Sequence, residues 1–246
     1  MRTGRIANLP ELDQGQEQVS TARRVVLTGG AVGLAALAGA ALGTAQPASA
    51  QSAPTWVTPS GDTTGNTDTA NIQTALDSGG ALLSQGQFYI KESTSGQPAL
   101  TVPAPGGLLV GCNNTLLTYL GNTQCIWSHS TDQGNGEGGD LQVYPADVMG
   151  IQIAYLDIDG TSAGSNAVGL DVGDGDDGFV WRVRTSNFEG ASQYGMLVIN
   201  RYFYTEKWRF YTQHFNCQNP VVIGSHPTSG GTNSFMYNQA YSVVIL

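Results

Sequence analysis

The sequence predicts an all-β solenoid, a coil of short strands whose successive turns stack on one another. Leu156-Asp157-Ile158, Trp181-Arg182-Val183, Trp208-Arg209-Phe210 and Phe235-Met236-Tyr237 are one apolar-x-apolar unit recurring at intervals of roughly 25 to 27 residues, the range in which a period marks a stacked repeat. A second series, Gly169-Leu170, Gly195-Met196 and Pro220-Val221, keeps about the same interval, so each period holds at least two short strands separated by turns. Elsewhere apolar residues alternate in runs too short for helices, and the 33 glycines supply turns between them. A β-sandwich has no such fixed register of matching triplets.

Residues 1–50 read as an export signal outside the coil. Arg23-Arg24 stands directly before an apolar, Gly/Ala-rich stretch from Val25 to Leu42, and Ala48-Ser49-Ala50 offers a small-x-small cleavage site before Gln51. The arrangement resembles a twin-arginine signal, which implies folding in the cytoplasm and work outside the cell. A membrane anchor needs about 20 strongly apolar residues, and this stretch is weakly hydrophobic for a span. No stable membrane anchor is therefore expected, and residues 51–246 form a single domain. Cleavage removes four of the ten basic and three of the nineteen acidic residues, leaving six against sixteen, a formal charge of −10. Such a field disfavours nucleic acid and anionic membranes, which need clustered Lys and Arg. It also disfavours a polyanionic substrate unless local cations reverse the sign.

After Gly61-Asp62, the run from Asn66 to Leu76 reads as a short helix with Asp68 as N-cap and Ile72, Ala75 and Leu76 on one face. Gly79-Gly80, the strand Ala81-Leu82-Leu83, a turn at Gln85-Gly86 and the strand Phe88-Tyr89-Ile90 follow. This order, with Gly61, Asp62, Asp68, Thr69, Ile72, Gln73, Ala75, Gly79, Gly80, Gly86 and, one place offset, Tyr89, resembles the start of the pectate lyase-like superfamily. The chain departs from that pattern at Thr67, in a Thr63-Thr64-Gly65 insertion, and at Ser84-Gln85, where a proline is expected. The resemblance covers residues 61–90 by motif and roughly 100–246 by period alone. It implies a right-handed parallel β-helix with a short N-terminal capping helix, and it leaves the chemistry open. Lyases, hydrolases, tail spikes and non-catalytic proteins share this beginning.

Cys112 and Cys125 are spaced to pair across one turn, leaving Cys217 alone; the alternative is that all three are small buried residues of interior rows. His129, His214 and His226 lack zinc-ligand spacing and read as polar surface or turn residues.

Aligning the triplets places their middle residues, Asp157, Arg182, Arg209 and Met236, in one outward column. The next column is Asp159, Arg184, Tyr211 and Asn238, with Lys207 nearby. One reading is a groove for an acidic or hydroxylated saccharide. The lyase resemblance then implies catalytic roles for Arg182 or Arg209 with Asp157 and Asp159, and substrate contacts for Arg184, Tyr211 and Lys207. The other reading is an ion-pair ladder holding strands in register, each pair contributing little.

Asp171, Asp174, Asp176 and Asp177 put four carboxylates among glycines, a composition suited to calcium, yet the spacing is not that of an EF-hand. A solvated acidic turn is the competing reading, and Asn135–Asp140 reads as such a loop. Asp176-Asp177 also resembles the paired acids of polygalacturonase-type hydrolases, but the companion motifs are absent. Trp127, Trp181, Trp208, Tyr202 and Tyr204 are candidates to stack on sugars, with Trp181 and Trp208 expected in the core.

The expected function is that of a secreted β-helix protein that binds, and in one version cleaves, an extracellular polysaccharide by lyase or hydrolase chemistry. The alternative is a non-catalytic surface or tail-spike-like module, for which a side-by-side homotrimer is the expected assembly. Ala240–Leu246 is an apolar strand pattern with no polar cap after it, which implies either a longer parent chain or a docked last strand.

If the signal reading holds, N-terminal sequencing of secreted protein gives Gln51 as the first residue. Replacing Arg23 and Arg24 by lysine retains the precursor inside the cell; secretion at full yield contradicts the twin-arginine route.

Overall fold

The computed structural model describes residues 53–103, 106–129, 150–176, 178–200, 205–225 and 239–245. Residues 1–50, Phe235-Met236-Tyr237, Asn238, Asn135–Asp140, His226, Asp177, Tyr202 and Tyr204 therefore lie outside the described residues. The described residues build a parallel β-solenoid of about five turns with one short helix. No helix among them is long and apolar enough to cross a membrane.

The coil begins with β1 (Thr55–Val57), α1 (Asn66–Asp77), β2 (Ala81–Leu83) and β3 (Gly86–Ile90). Then come β4 (Leu100–Thr101), β5 (Leu108–Val110), β6 (Thr115–Tyr119), β7 (Gln124–Ser128), β8 (Gln152–Asp159), β9 (Val168–Val172) and β10 (Gly175–Asp176). β11 (Phe179–Ser186), β12 (Tyr194–Asn200), β13 (Thr205–Glu206), β14 (Arg209–Phe215), β15 (Asn219–Ser225) and β16 (Gln239–Ile245) complete it. The large sheet runs β1-β2-β5-β8-β11-β14-β16, with β3 and β6 continuing β2 and β5 so that β6 also pairs with β8. The second sheet runs β4-β7-β9-β12-β15, and β10 and β13 form a third, small one. Every pairing is parallel, because each strand meets the same strand of the next turn.

Between the sheets lies a core in which Phe88, Leu117 and Ile158 stack in one inward row with no exposure. The row continues through Thr185 and His214, which are also buried. His214 is therefore interior, contrary to the surface reading. Its Nδ1 lies 2.7 Å from the Thr185 hydroxyl and its Nε2 2.9 Å from that of Thr212. The sequence hides this because a polar residue at an inward place looks like a surface one until its partners arrive from the next turn. Cys125 and Cys217 are buried and Cys112 is half-buried, and all three are thiols. Of the two readings, the Cys112–Cys125 bridge is not formed, and Cys125 and Cys217 are buried as the other expects.

α1 packs Ile72, Ala75 and Leu76 into the core, as their shared face predicts. Its N-cap is not Asp68. The helix starts at Asn66, as the run predicts, behind Gly65 at φ 85°, so Asp68 falls inside its first turn, fully buried. There its two oxygens accept from Ser60 N at 2.8 Å and Tyr89 N at 2.9 Å, tying the segment before the helix to β3. Asp62 closes the helix start instead: its carboxylate accepts from the Thr64 hydroxyl, Thr64 N and Thr67 N. Those bonds, the Thr64 hydroxyl first, hold the exposed Asp62 carboxyl well below the usual range. The Thr63-Thr64-Gly65 insertion is the loop that Asp62 closes.

The triplet alignment is corrected by two residues between β8 and β11, where Asp157 pairs with Arg184, and by two to three between β11 and β14, where Arg184 pairs with Gln213 and Phe179 with Arg209. Between β11 and β14 the register shifts at Trp181/Val183, leaving Arg182 as an extra residue at φ 52°. Tyr155 is the matching extra residue of β8 at φ 58°. Asp157 is therefore followed in its column by Arg184 and then Gln213, not by Arg182 and Arg209; Arg209 stands beside Phe179 and Gln239. Trp181 moves to the outer face, half-buried, whereas Trp208 is in the core as expected. An inserted residue reverses the facing of every residue before it relative to those after it, which a period count cannot see.

Asp159, a catalytic candidate in the sequence, starts a polar ladder at the corner that follows the large sheet. It accepts from the Thr161 amide and hydroxyl and from Asn187 Nδ2 at 2.8 Å, and Asn216 Nδ2 donates in turn to Asn187 Oδ1 at 3.2 Å. Asn187 and Asn216 have φ of 61° and 49°, a backbone that asparagine tolerates.

Asp68→Ala removes the acceptor of two backbone amides in a buried place, and a loss of about 2 kcal/mol or more is expected. Denaturant unfolding monitored by tryptophan fluorescence measures it; an unchanged midpoint would show that water replaces the carboxylate.

Candidate functional site

On the outer face of the large sheet, the two bulged residues and the interrupted neighbouring turn form a groove of about 390 Å³. Its N-terminal wall is the Cys112–Thr115 loop, which separates β5 from β6. Tyr155 and Asp157 enter from β8, Arg182 and Arg184 from β11, and Tyr211 and Gln213 from β14. Four of the residues proposed from sequence, Asp157, Arg182, Arg184 and Tyr211, thus meet in one place. Asp159, Lys207 and Arg209 do not line it.

Arg184 and Asp157 form an ion pair across adjacent turns, with side chains 45% and 30% exposed. Partial burial raises the Asp157 carboxyl above its ordinary value, and Arg184 opposes that shift. The Arg184 guanidinium also lies 5.7 Å from the Phe215 ring centroid. Arg182, pushed outward by the bulge, has no carboxylate partner among the described residues and sits 5.8 Å over the Tyr155 ring. Trp181 stacks on Phe179 at 5.4 Å and on Tyr211 at 4.8 Å, a three-ring platform that runs into the groove. With two arginines and one aspartate, the lining carries a local positive balance on an acidic protein. Sequence reasoning missed Tyr155 and the Cys112–Thr115 loop, because their place depends on the bulges and on the break between β5 and β6.

The acidic segment is not a solvated turn at its first two members. Asp171 and Asp174 are fully buried, and His129, expected at the surface, is buried between them. His129 Nε2 lies 2.8 Å from Asp171 Oδ1 and Nδ1 lies 2.7 Å from Asp174 Oδ2. Ionised carboxylates only accept, so this arrangement favours the imidazolium, whose two ring nitrogens both donate. Burial alone would depress its pKa; the two carboxylates outweigh burial and raise it above 6.5. Strand pairing makes this contact: Ser128 faces Val172, so His129 arrives beside Gly173, where a Cβ would come within 3.2 Å of the imidazole and 2.3 Å of Ile199 O. One oxygen of each carboxylate is thus engaged by His129. No group of three or more His, Cys, Asp or Glu among the described residues is arranged to hold a metal.

No family profile matches the chain, and no curated protein or solved structure is significantly similar to it.

The two buried histidines set opposite pH limits. His129 has a raised folded pKa, so its stabilisation is complete below about pH 6.5 and is lost as pH rises through that higher value. His214, buried as the neutral ring, is pushed down to about 4, so stability falls as pH drops from about 6.5 towards 4 and the unfolded chain takes the proton. Melting temperatures across pH, with His129→Gln and His214→Asn, measure both. His129→Gln should cost about 3 kcal/mol or more below pH 6.5 and less at high pH. His214→Asn should flatten the acid side; parallel curves for variant and parent would contradict the assignment.

Proposed function

We propose that the protein is an exported β-solenoid that binds an extracellular polysaccharide in the groove on its large sheet. The observation that carries this reading is the Phe179-Trp181-Tyr211 platform running into a groove that holds Arg182 without a carboxylate partner among the described residues. Sugar rings present C–H faces that pack on aromatic rings, and their hydroxyls suit Asn113, Asn114 and Gln213. Arg182 suits the carboxylate of an acidic sugar, and its contact with Tyr155 holds the guanidinium in place. The twin-arginine-like segment, the motif at residues 61–90 and the solenoid itself support the same reading.

Binding is favoured over cleavage. Hydrolysis by the usual route needs two carboxyl groups flanking the bond, and Asp157 is the one carboxylate among the lining residues, already paired with Arg184. A lyase reading gives the proton abstraction to an arginine, and both lining arginines are already engaged: Arg182 over the Tyr155 ring and Arg184 with Asp157.

A panel of neutral and acidic polysaccharides, assayed for binding and for unsaturated products and reducing ends, tests the proposal. Arg182→Ala should lower affinity for the polysaccharide that binds at least about tenfold, the loss of one positioned cation, while barely moving the melting point. Equal affinity of the Arg182→Ala variant and the parent contradicts the groove, and new ends in the product assay contradict the binding-only form.

A further inference from the structure

Among the described residues, Trp56, Tyr155 and Ile223 are the large apolar side chains left exposed, at 65%, 39% and 56%. Scattered single exposures are ordinary. Trp56 and Tyr155, however, share the outer face of the large sheet, and the strand register gives Trp56 a specific address. Trp56 pairs with Leu82, Leu82 with Val110, Val110 with Ala154, Ala154 with Trp181, and Trp181 with Tyr211. These six residues form one outward column along the solenoid axis. It begins on a fully formed aromatic platform, passes over small and aliphatic side chains, and ends on a bare indole four strand steps from Trp181, about 19 Å away.

We infer that Trp56 is a distal stacking site of the same groove, so that the ligand is a saccharide chain lying along the solenoid axis from Tyr211 to β1. The inference rests on the saccharide reading above and extends it to a length requirement. Strand spacing of about 4.8 Å presents one column residue for roughly each sugar ring of an axial chain. Leu82 and Val110 are half-buried and Ala154 is 4% exposed, so the middle of the column offers little surface and the ring contacts lie at its two ends. A second protein copy is a poorer occupant. The adjoining column of Leu108, Gln152, Phe179 and Arg209 is broken by two polar residues, and Arg182, Arg184 and Asp157 border the other side. A stable protein interface needs about 800 Å² per partner with a broad apolar centre. An edge strand such as β1 is also where a charged or small residue protects against unwanted pairing, and a tryptophan there gives no such protection.

The test titrates the parent, Trp56→Ala and Trp181→Ala with a galacturonate trisaccharide and a galacturonate decasaccharide by calorimetry, with sedimentation velocity on each protein without saccharide. The trisaccharide covers the Trp181 end alone, and the decasaccharide reaches Trp56. Trp56→Ala should keep the trisaccharide affinity and lose about tenfold on the decasaccharide, one stacking contact's share. Trp181→Ala should weaken both. A Trp56→Ala variant that binds the decasaccharide as tightly as the parent overturns the distal site and leaves the groove standing. A parent that binds neither saccharide, or a Trp181→Ala variant that loses nothing, overturns the groove and the distal site together. A Trp56→Ala change that turns an oligomer into a monomer, with saccharide binding intact, assigns the indole to a second copy and overturns the inference.

Discussion

Parallel stacking of like on like is the constraint on which the rest of this structure depends. Each backbone strand hydrogen-bonds to the same strand of the next turn, about 4.8 Å away, so a residue's neighbours are those one turn before and after it. Rows follow from this. The inward row of Phe88, Leu117 and Ile158 is apolar because each member rests on the next, and the corner ladder of Asp159, Asn187 and Asn216 is polar for the same reason. A change in one member is felt by two neighbours, and polar side chains enter the interior only as members of a row or cluster.

Two such insertions carry opposite electrostatics. His214 sits among threonine hydroxyls with no carboxylate bonded to its ring, so burial keeps it neutral. His129 sits between two carboxylates, so it is charged despite complete burial. The same side chain in the same kind of interior thus takes either state according to what the adjacent turn supplies. The His129 cluster joins the end of β7 to the end of β9, and the Asp174 amide continues the link to the Thr205 hydroxyl at the start of β13.

The groove arises where stacking is interrupted. β5 and β6 are separated by a loop, and β8 and β11 answer with bulged residues in left-handed conformation, Tyr155 and Arg182. A non-glycine residue there costs on the order of 1 kcal/mol, and such outliers gather where a side chain must be aimed out of the regular ladder. Here the aim brings a cation over an aromatic ring, beside a paired arginine and aspartate and a stack of three rings. Strain, aromatic exposure and charge coincide at one place on an otherwise regular face.

The sequence by itself determined the architecture: repeating apolar triplets and glycine-rich turns dictate a coil of short strands, and the shared face of Ile72, Ala75 and Leu76 dictates its helix. It also picked out Asp157, Arg182, Arg184 and Tyr211, since charged and aromatic residues at outward places of successive repeats must share a face. Tertiary structure decided which of them touch. One inserted residue in each of β8 and β11 turns Trp181 out of the core, and turns two to three residues longer than the triplet spacing bring Asp157 to Arg184, neither of which a period count sees. It also decided that Asp171, Asp174 and His129 are a buried cluster, because residues more than forty places apart in the chain become neighbours only after a complete turn closes. Local chemistry fixes what a residue prefers, and the register of the coil fixes which partner it receives.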